Sequence, residues 1–196
     1  MKDRISDSAI KQLFTEGRSF HSWKDIEVSD DLLEELYEIF KWGPTSMNSS
    51  PLRVLFIKSK AQKELLYPSL LGSNIAQVKS APVTAIIAFD ENFHEELPNL
   101  FPAYDAKPIF EADASLKVNT AFRNSSLQGA YLLIAARALG LDVCPLSGFN
   151  NKLVDDTFFQ GTSWKSNFLC NLGYGIESEL YPRGPRLSFE AVSKII

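Results

Sequence analysis

Val83, Thr84, Ala85, Ile86, Ile87, Ala88 and Phe89 follow one another without a charge or a polar face. A run this short, β-branched and apolar throughout, suits a buried strand. Val54, Leu55, Phe56 and Ile57 form a second such run, and shorter ones at residues 142–144 and 167–172 predict two more strands. Between them lie segments of helical period. Ile10, Leu13 and Phe14 fit one face of a short N-terminal helix. Ser29 is placed to cap a second, with Asp30 and Asp31 at its positive end and Leu32, Leu33, Leu36, Tyr37 and Phe40 turned inward. Residues 60–80 are expected to be helical, as are 152–158 and a short stretch near the end. The strongest helix is predicted from about Thr120 to Leu139, with Leu127, Ala130, Tyr131, Ile134, Ala135 and Ala138 at three- and four-residue intervals, closed by Gly140. Such a stripe suits either a core or a subunit seam. Residues 91–118 mix Pro98, Pro102 and Pro108 with Phe93, Phe101, Tyr104 and Phe110, which predicts an apolar lid or excursion. Strands and helices do not alternate as βαβ units, so the expected class is α+β.

With 196 residues and 45% hydrophobic content, one domain over residues 1–196 is expected. A net charge of -4 supplies no basic field for nucleic acid or anionic lipid. The N-terminus lacks the apolar stretch of a secretory signal and no run is long enough to span a bilayer, so a cytoplasmic protein without membrane or nucleic-acid partners is expected. Cys144 and Cys170 form no CxxC pair and read as free thiols. His21 and His94 lack metal-ligand spacing, so no metal is expected. The GxSxG elbow, the Walker-type loop and the strand-to-helix GxGxxG are all missing from the sequence.

Five segments instead carry a resemblance. Gly17-Arg18-Ser19-Phe20-His21-Ser22-Trp23 resembles the Arg-Arg-Ser segment of the nitroreductases, followed there by an aromatic residue. Arg18 and Ser19 offer the guanidinium fork and hydroxyl that a phosphate takes. Pro44-Thr45-Ser46-Met47-Asn48-Ser49-Ser50-Pro51-Leu52 resembles that family's Pro-Ser-x-x-Asn-x-Gln-Pro-Trp loop against the flavin, with Ser50 for Gln and Leu52 for Trp. Asn74-Ile75-Ala76-Gln77 resembles its Asn-x-x-Lys stretch, with Gln77 where Lys is common. Pro145-Leu146-Ser147-Gly148-Phe149 resembles its Pro-x-Glu-Gly-Phe turn, with Ser147 for Glu. Arg183-Gly184-Pro185-Arg186 resembles its Lys-x-Arg tail: Arg186 aligns with the second cation, and Arg183 substitutes for the first, whose place Gly184 holds.

The resemblance implies a nitroreductase-like fold with a mostly antiparallel sheet flanked by helices, and a homodimer with exchanged segments. It implies FMN as cofactor, with NADH or NADPH as donor and ping-pong hydride transfer through flavin N5 to a small organic acceptor. Implied cofactor contacts are Arg18, Ser19, Pro44, Thr45, Ser46, Asn48, Asn74, Gln77, Pro145, Leu146, Ser147, Gly148, Arg183 and Arg186. Gly148 is expected to aim its backbone N–H at N5. No side chain is implied as a catalytic group, because the cofactor carries the chemistry. Phe122-Arg123-Asn124-Ser125-Ser126 and residues 185–190 look most like the malonic semialdehyde reductase branch, which makes 3-hydroxypropionate, and Arg123 is the expected substrate contact at a helix N-terminus. A broad nitroaromatic or quinone reductase and a flavin-binding protein without turnover are the alternatives. A hydrolase or transferase using a serine is the weakest, since no base or oxyanion constellation accompanies one.

Overall fold

A computed structural model describes residues 2–196. Its centre is a four-stranded sheet of β1 (Leu52–Ile57), β2 (Val83–Asp90), β3 (Asp142–Leu146) and β4 (Trp164–Gly173), ordered β1-β2-β4-β3. Every pairing is antiparallel, as expected. The uncharged run at 83–89 becomes β2, buried along its whole length between β1 and β4. β1 and β3 are the edges. In register, β1 starts opposite Phe89, β2 ends opposite Trp164 at the start of β4, and β3 ends at Leu146 opposite Leu169. The entry to β1 and the exit from β3 therefore lie toward the same end of the sheet, on opposite edges.

The helix Asp30–Phe40 starts where Ser29 was expected to cap it, the Ser29 hydroxyl accepting from the Leu32 N–H at 3.2 Å. Leu33, Leu36 and Phe40 are buried, but Tyr37 is exposed, which corrects its inward assignment. Ile10, Leu13 and Phe14 are likewise not buried, because the short helix Asp7–Ile10 passes into a π-helical turn at Lys11–Thr15 that breaks the expected face. Residues 60–80 form two helices, Lys60–Leu66 and Asn74–Ser80, separated by the bend around Gly72.

The long helix is Ala114–Ala138, capped by Asp113, so it begins about a turn and a half before the expected start. Its face against the rest of the chain is Ala121, Asn124, Ser125, Gln128, Gly129, Leu132, Ala135 and Ala136. Leu127, Ala130, Tyr131 and Ala138 of the predicted stripe face outward, and only Ala135 of that set is buried. The helix thus carries two faces: one packs inward on small, polar and aliphatic groups, the other, with Arg123 among Leu127, Ala130, Tyr131 and Ala138, is mostly apolar and uncovered in the single chain.

Two clusters of buried apolar residues line the sheet. A third forms from Phe89, Phe93, Leu97, Ala106, Phe110 and Ala121, with Met47 and Phe101 against it. The 91–118 excursion is therefore anchored by its own aromatic residues over one end of the sheet.

Candidate functional site

The Pro44 loop is bent by three non-glycine residues in the left-handed region, Met47 (φ 53°), Asn48 (φ 49°) and Ser50 (φ 40°). Such conformations persist where surrounding contacts over-determine them, and here those contacts are explicit. The Ser50 N–H donates to Thr45 Oγ1 at 3.1 Å, and the Asn48 amide donates to the Leu100 carbonyl at 2.9 Å. From the long helix, Asn124 Oδ1 accepts from the Ser46 N–H at 2.8 Å and Gln128 Oε1 accepts from the Leu52 N–H at 3.0 Å. Pro44, Ser46 and Asn48 are left exposed and Thr45 half-buried. Asn124 and Gln128 were missed in the sequence; their signal was a polar i, i+4 pair on a helix otherwise judged by its apolar stripe.

At the opposite edge of the sheet a second set assembles. The Gly148 carbonyl accepts from Asn74 Nδ2 and from the Leu71 N–H, both at 2.9 Å, which ties the Pro145 turn to the start of Asn74–Ser80. A Cβ at Gly148 would stand 2.6 Å from Asn74 Nδ2 and would displace that amide from the Gly148 carbonyl, so glycine permits this close approach. The N–H groups of Ser147 and Gly148 donate to nothing among the described residues, while the Phe149 N–H turns back to the Ser147 carbonyl. Pro145 and Ser147 are exposed. Leu146 is a correction: strand alternation turns its side chain into the core, where it is buried, leaving only its backbone at the edge.

Beside this turn, Gln77 Oε1 accepts from the Cys144 thiol at 3.6 Å, and Cys144 Sγ lies 3.7 Å from His21 Nδ1. Gln77 Nε2 has no partner among the described residues. Burial pushes the Cys144 thiol up to about 11, so it stays protonated at neutral pH and donates. Ser19 pairs its backbone with Val143 on the β3 edge, with its side chain exposed.

The arginines divide. Arg18 donates to the Tyr181 carbonyl and Arg183 to the Gly17 carbonyl at 3.1 Å, so the tail lies against the Gly17 segment. Both line a cleft of about 680 Å³. Arg186 does not join them: its guanidinium folds back on the Gly184 and Pro185 carbonyls and is exposed. Arg123 is also displaced from expectation. The helix begins nine residues earlier, so Arg123 stands on an exposed inner turn instead of at the N-terminus, with no hydrogen bond or ion pair among the described residues.

Two further features lie beside these sets. A groove of about 1260 Å³ runs between β1 and the helix Asp30–Phe40, past Tyr37, Lys41, Phe56 and Trp164, and reaches Ser50, Leu52, Leu100 and Gln128 behind the Pro44 loop, though none of the cofactor contacts expected from the sequence lines it. His94, Glu95 and Glu111 approach one another with metal-like spacing, but the Lys107 ammonium sits 2.6 Å from Glu95 and 3.6 Å from Glu111. The cation position there is taken by the chain itself.

The nitroreductase family model matches residues 16–174, which spans the Gly17 segment, the Pro44 loop, Asn74, Gln77 and the Pro145 turn. This chain belongs to the nitroreductase family. It is thereby an oxidoreductase of nitroreductase type, as its sequence led one to expect. Solved structures agree in fold. The nitroreductase ydfN of Bacillus subtilis is 18% identical over 97% of this chain and 100% of its own, with a TM-score of 0.89. A nitroreductase of Exiguobacterium sibiricum in complex with FMN is 19% identical, covering 100% of both chains, with a TM-score of 0.84. An NAD(P)H:FMN oxidoreductase of Staphylococcus epidermidis is 19% identical over 100% of this chain and 98% of its own, with a TM-score of 0.85. Arg183 and Arg186 lie beyond the matched residues. Among the described residues no helix is long and apolar enough to cross a membrane.

Proposed function

We propose that this chain is an FMN-dependent NAD(P)H oxidoreductase acting as a homodimer, with each flavin held between the β3 edge of one chain and the Pro44 loop of the other. One observation carries this reading. The two sets of candidate contacts lie toward the same end of the sheet but on opposite edges, with β2 and β4 between them: three strand spacings, about 14 Å, across the sheet, and a further offset along it because Leu146 is level with Leu55 and not Leu52. One flavin meets both sets when two chains face each other. The uncovered face of the long helix, with Leu127 and Tyr131 exposed and Tyr131 against Gly43 next to Trp42 (78% exposed), is the surface such a pairing would bury.

The residues fit the cofactor. The free N–H groups of Ser147 and Gly148 suit the polar edge of a flavin, the glycine permits close approach, and Arg18 and Arg183 suit a phosphate. When bound, FMN supplies the two-electron chemistry, accepting hydride from NAD(P)H and passing electrons on. The chain's own task is positioning. Gln77 presents a neutral amide donor, its oxygen being occupied by Cys144, while Ser19 adds a hydroxyl near the β3 edge. The 91–118 excursion with Met47 forms an apolar wall beside the loop and excludes water. The acceptor is a small organic molecule. Within that class, malonic semialdehyde is the reading supported by the likeness of residues 122–126 and 185–190, with Arg123 as the free cation for its carboxylate.

Complementation tests the arrangement. A variant damaged in the loop (Thr45→Ala with Asn48→Ala) and one damaged in the turn (Gly148→Val) should each bind little FMN. Mixed and refolded together, they should regain one intact site per heterodimer, because one loop and one turn in each heterodimer remain unaltered. No recovery on mixing, with the parent binding FMN normally, would place both sets of contacts within one chain and overturn the reading.

A further inference from the structure

Gly17 stands at the first arginine of the Arg-Arg-Ser resemblance, yet the space beside it holds a guanidinium. A Cβ at position 17 would fall 2.6 Å from Cζ, 2.7 Å from Nη1 and 2.9 Å from Nε of Arg137. Arg137 reaches this point from the last turn of the long helix, 120 residues away in sequence, and donates through Nη1 to the Leu13 carbonyl at 3.0 Å. It lines the same cleft as Arg18 and Arg183. None of the three lies within ion-pair distance of a carboxylate among the described residues. Glu16, Asp142 and Glu177 also line the cleft, but Glu16 lies 3.9 Å from Lys11 and Asp142 accepts the Gly175 N–H at 2.8 Å. Burial pushes the Arg137 guanidinium below its usual range; the nearby Asp142 carboxylate opposes this and the charge of Arg183 adds to it. Gathering like charges on partly desolvated groups is unfavourable unless an anion joins them.

We propose that Arg137 is the third guanidinium of a phosphate-binding cleft, standing with Arg18 and Arg183 in place of the side chain that Gly17 lacks, and that the ligand is a phosphate monoester. The assignment rests on the flavin nucleotide reading above. Both nucleotides of that reading carry such a group, the 5′-phosphate of FMN and the 2′-phosphate of NADPH. Planar, permanently charged forks suit either dianion. The glycine then leaves room: a side chain at 17 would displace the guanidinium of Arg137 from its present place beside Arg18 and Arg183.

The test uses the purified full chain, stripped of flavin, and compares the parent, Arg137→Ala, and the double variant Arg137→Ala with Gly17→Arg. FMN and riboflavin are titrated by flavin fluorescence, NADPH and NADH by binding, and inorganic phosphate by its effect on the melting temperature. Arg137→Ala should weaken FMN roughly tenfold or more and leave riboflavin within about twofold, with the double variant recovering most of the loss. If the preference for NADPH over NADH falls instead, with FMN unchanged, the cleft takes its phosphate from the nicotinamide nucleotide. Loss of the Leu13 contact alone would weaken phosphate-bearing and phosphate-free ligands alike, and Gly17→Arg would restore nothing; that result overturns the proposal. A parent that binds no flavin defeats the flavin reading alone. The phosphate arm then decides: inorganic phosphate should raise the melting temperature of the parent and not of Arg137→Ala, and equal shifts in both refute the cleft.

Discussion

Asn124, in the middle of the long helix, holds Ser46, 78 residues earlier in the chain: its Oδ1 accepts the Ser46 N–H at 2.8 Å, while its Nδ2 donates to the Thr120 carbonyl one helical turn back. The side chain is nearly fully buried, so both of its polar ends are committed and its orientation is fixed. A loop with three residues in left-handed conformations is thereby pinned to the most regular element of the fold. Asn124→Ala should cost about 1–3 kcal/mol of stability in urea unfolding, the loss of a buried hydrogen-bonding group. It should also weaken FMN. Unchanged stability and affinity would show that the loop keeps its shape without this tie.

The outward face of the long helix predicts the assembly. Leu127 is 49% exposed, and Tyr131, one turn further along the same helix, is exposed on the same side. Light scattering should report a dimer for the parent, and Leu127→Asp should shift it toward monomer, since burying an unpaired carboxylate in an apolar seam is strongly unfavourable. FMN should be lost together with the dimer. A monomeric parent that binds FMN would contradict the shared site.

Cys144 sets a pH dependence with a defined sign. Its thiol is 1% exposed and raised by burial from 9.0 to about 11, so the folded chain favours the protonated form. Below about pH 9 its contribution to stability is fully present, and it is lost as pH rises toward 11, because the unfolded chain releases the proton first. The urea midpoint of the parent should fall between pH 8.5 and about 11 more steeply than that of Cys144→Val, whose other ionising groups are the same. Parallel slopes would refute the assignment.

Arg123 reports on the acceptor. Exposed and unpaired among the described residues, it is available to a carboxylate but not required by the fold. Arg123→Ala should lower kcat/KM for malonic semialdehyde roughly tenfold or more and leave an uncharged quinone nearly unchanged. An equal fall for both acceptors would assign Arg123 to the fold or the flavin, and no fall for either would remove it from the acceptor site.

How much of this was legible in the sequence depends on which physics set each feature. β2 was readable because burial on both faces leaves an unbroken apolar run, and the helix Asp30–Phe40 because Ser29 caps it locally. The start of the long helix was missed, since Asp113 caps it after a proline-rich stretch that reads as irregular. Its periodicity exposed one apolar stripe, and the structure turns most of that stripe outward while Asn124, Ser125 and Gln128 go inward. An apolar stripe gives no sequence signal for which face of a helix its own chain covers. In the candidate site, what consecutive residues build was legible as local structure: the loop from Pro44, the turn from Pro145, the Arg18-Ser19 segment. Contacts set by distant residues were not. Arg137 beside Gly17 and Cys144 beside Gln77 exist because strands and helices bring them together, and Arg186 misses the cleft because its exposed tail folds back on its own backbone.

Anaerobic mixing reads electron transfer through bound FMN without an intervening step. Purified protein reconstituted with FMN is mixed with NADH or NADPH without oxygen, and the flavin absorbance is followed in a stopped-flow instrument. The bound flavin should bleach within a single turnover, and its colour should return when a small organic acceptor is added after the oxidised nucleotide has left. A flavin that binds yet stays yellow with both nucleotides would contradict that transfer.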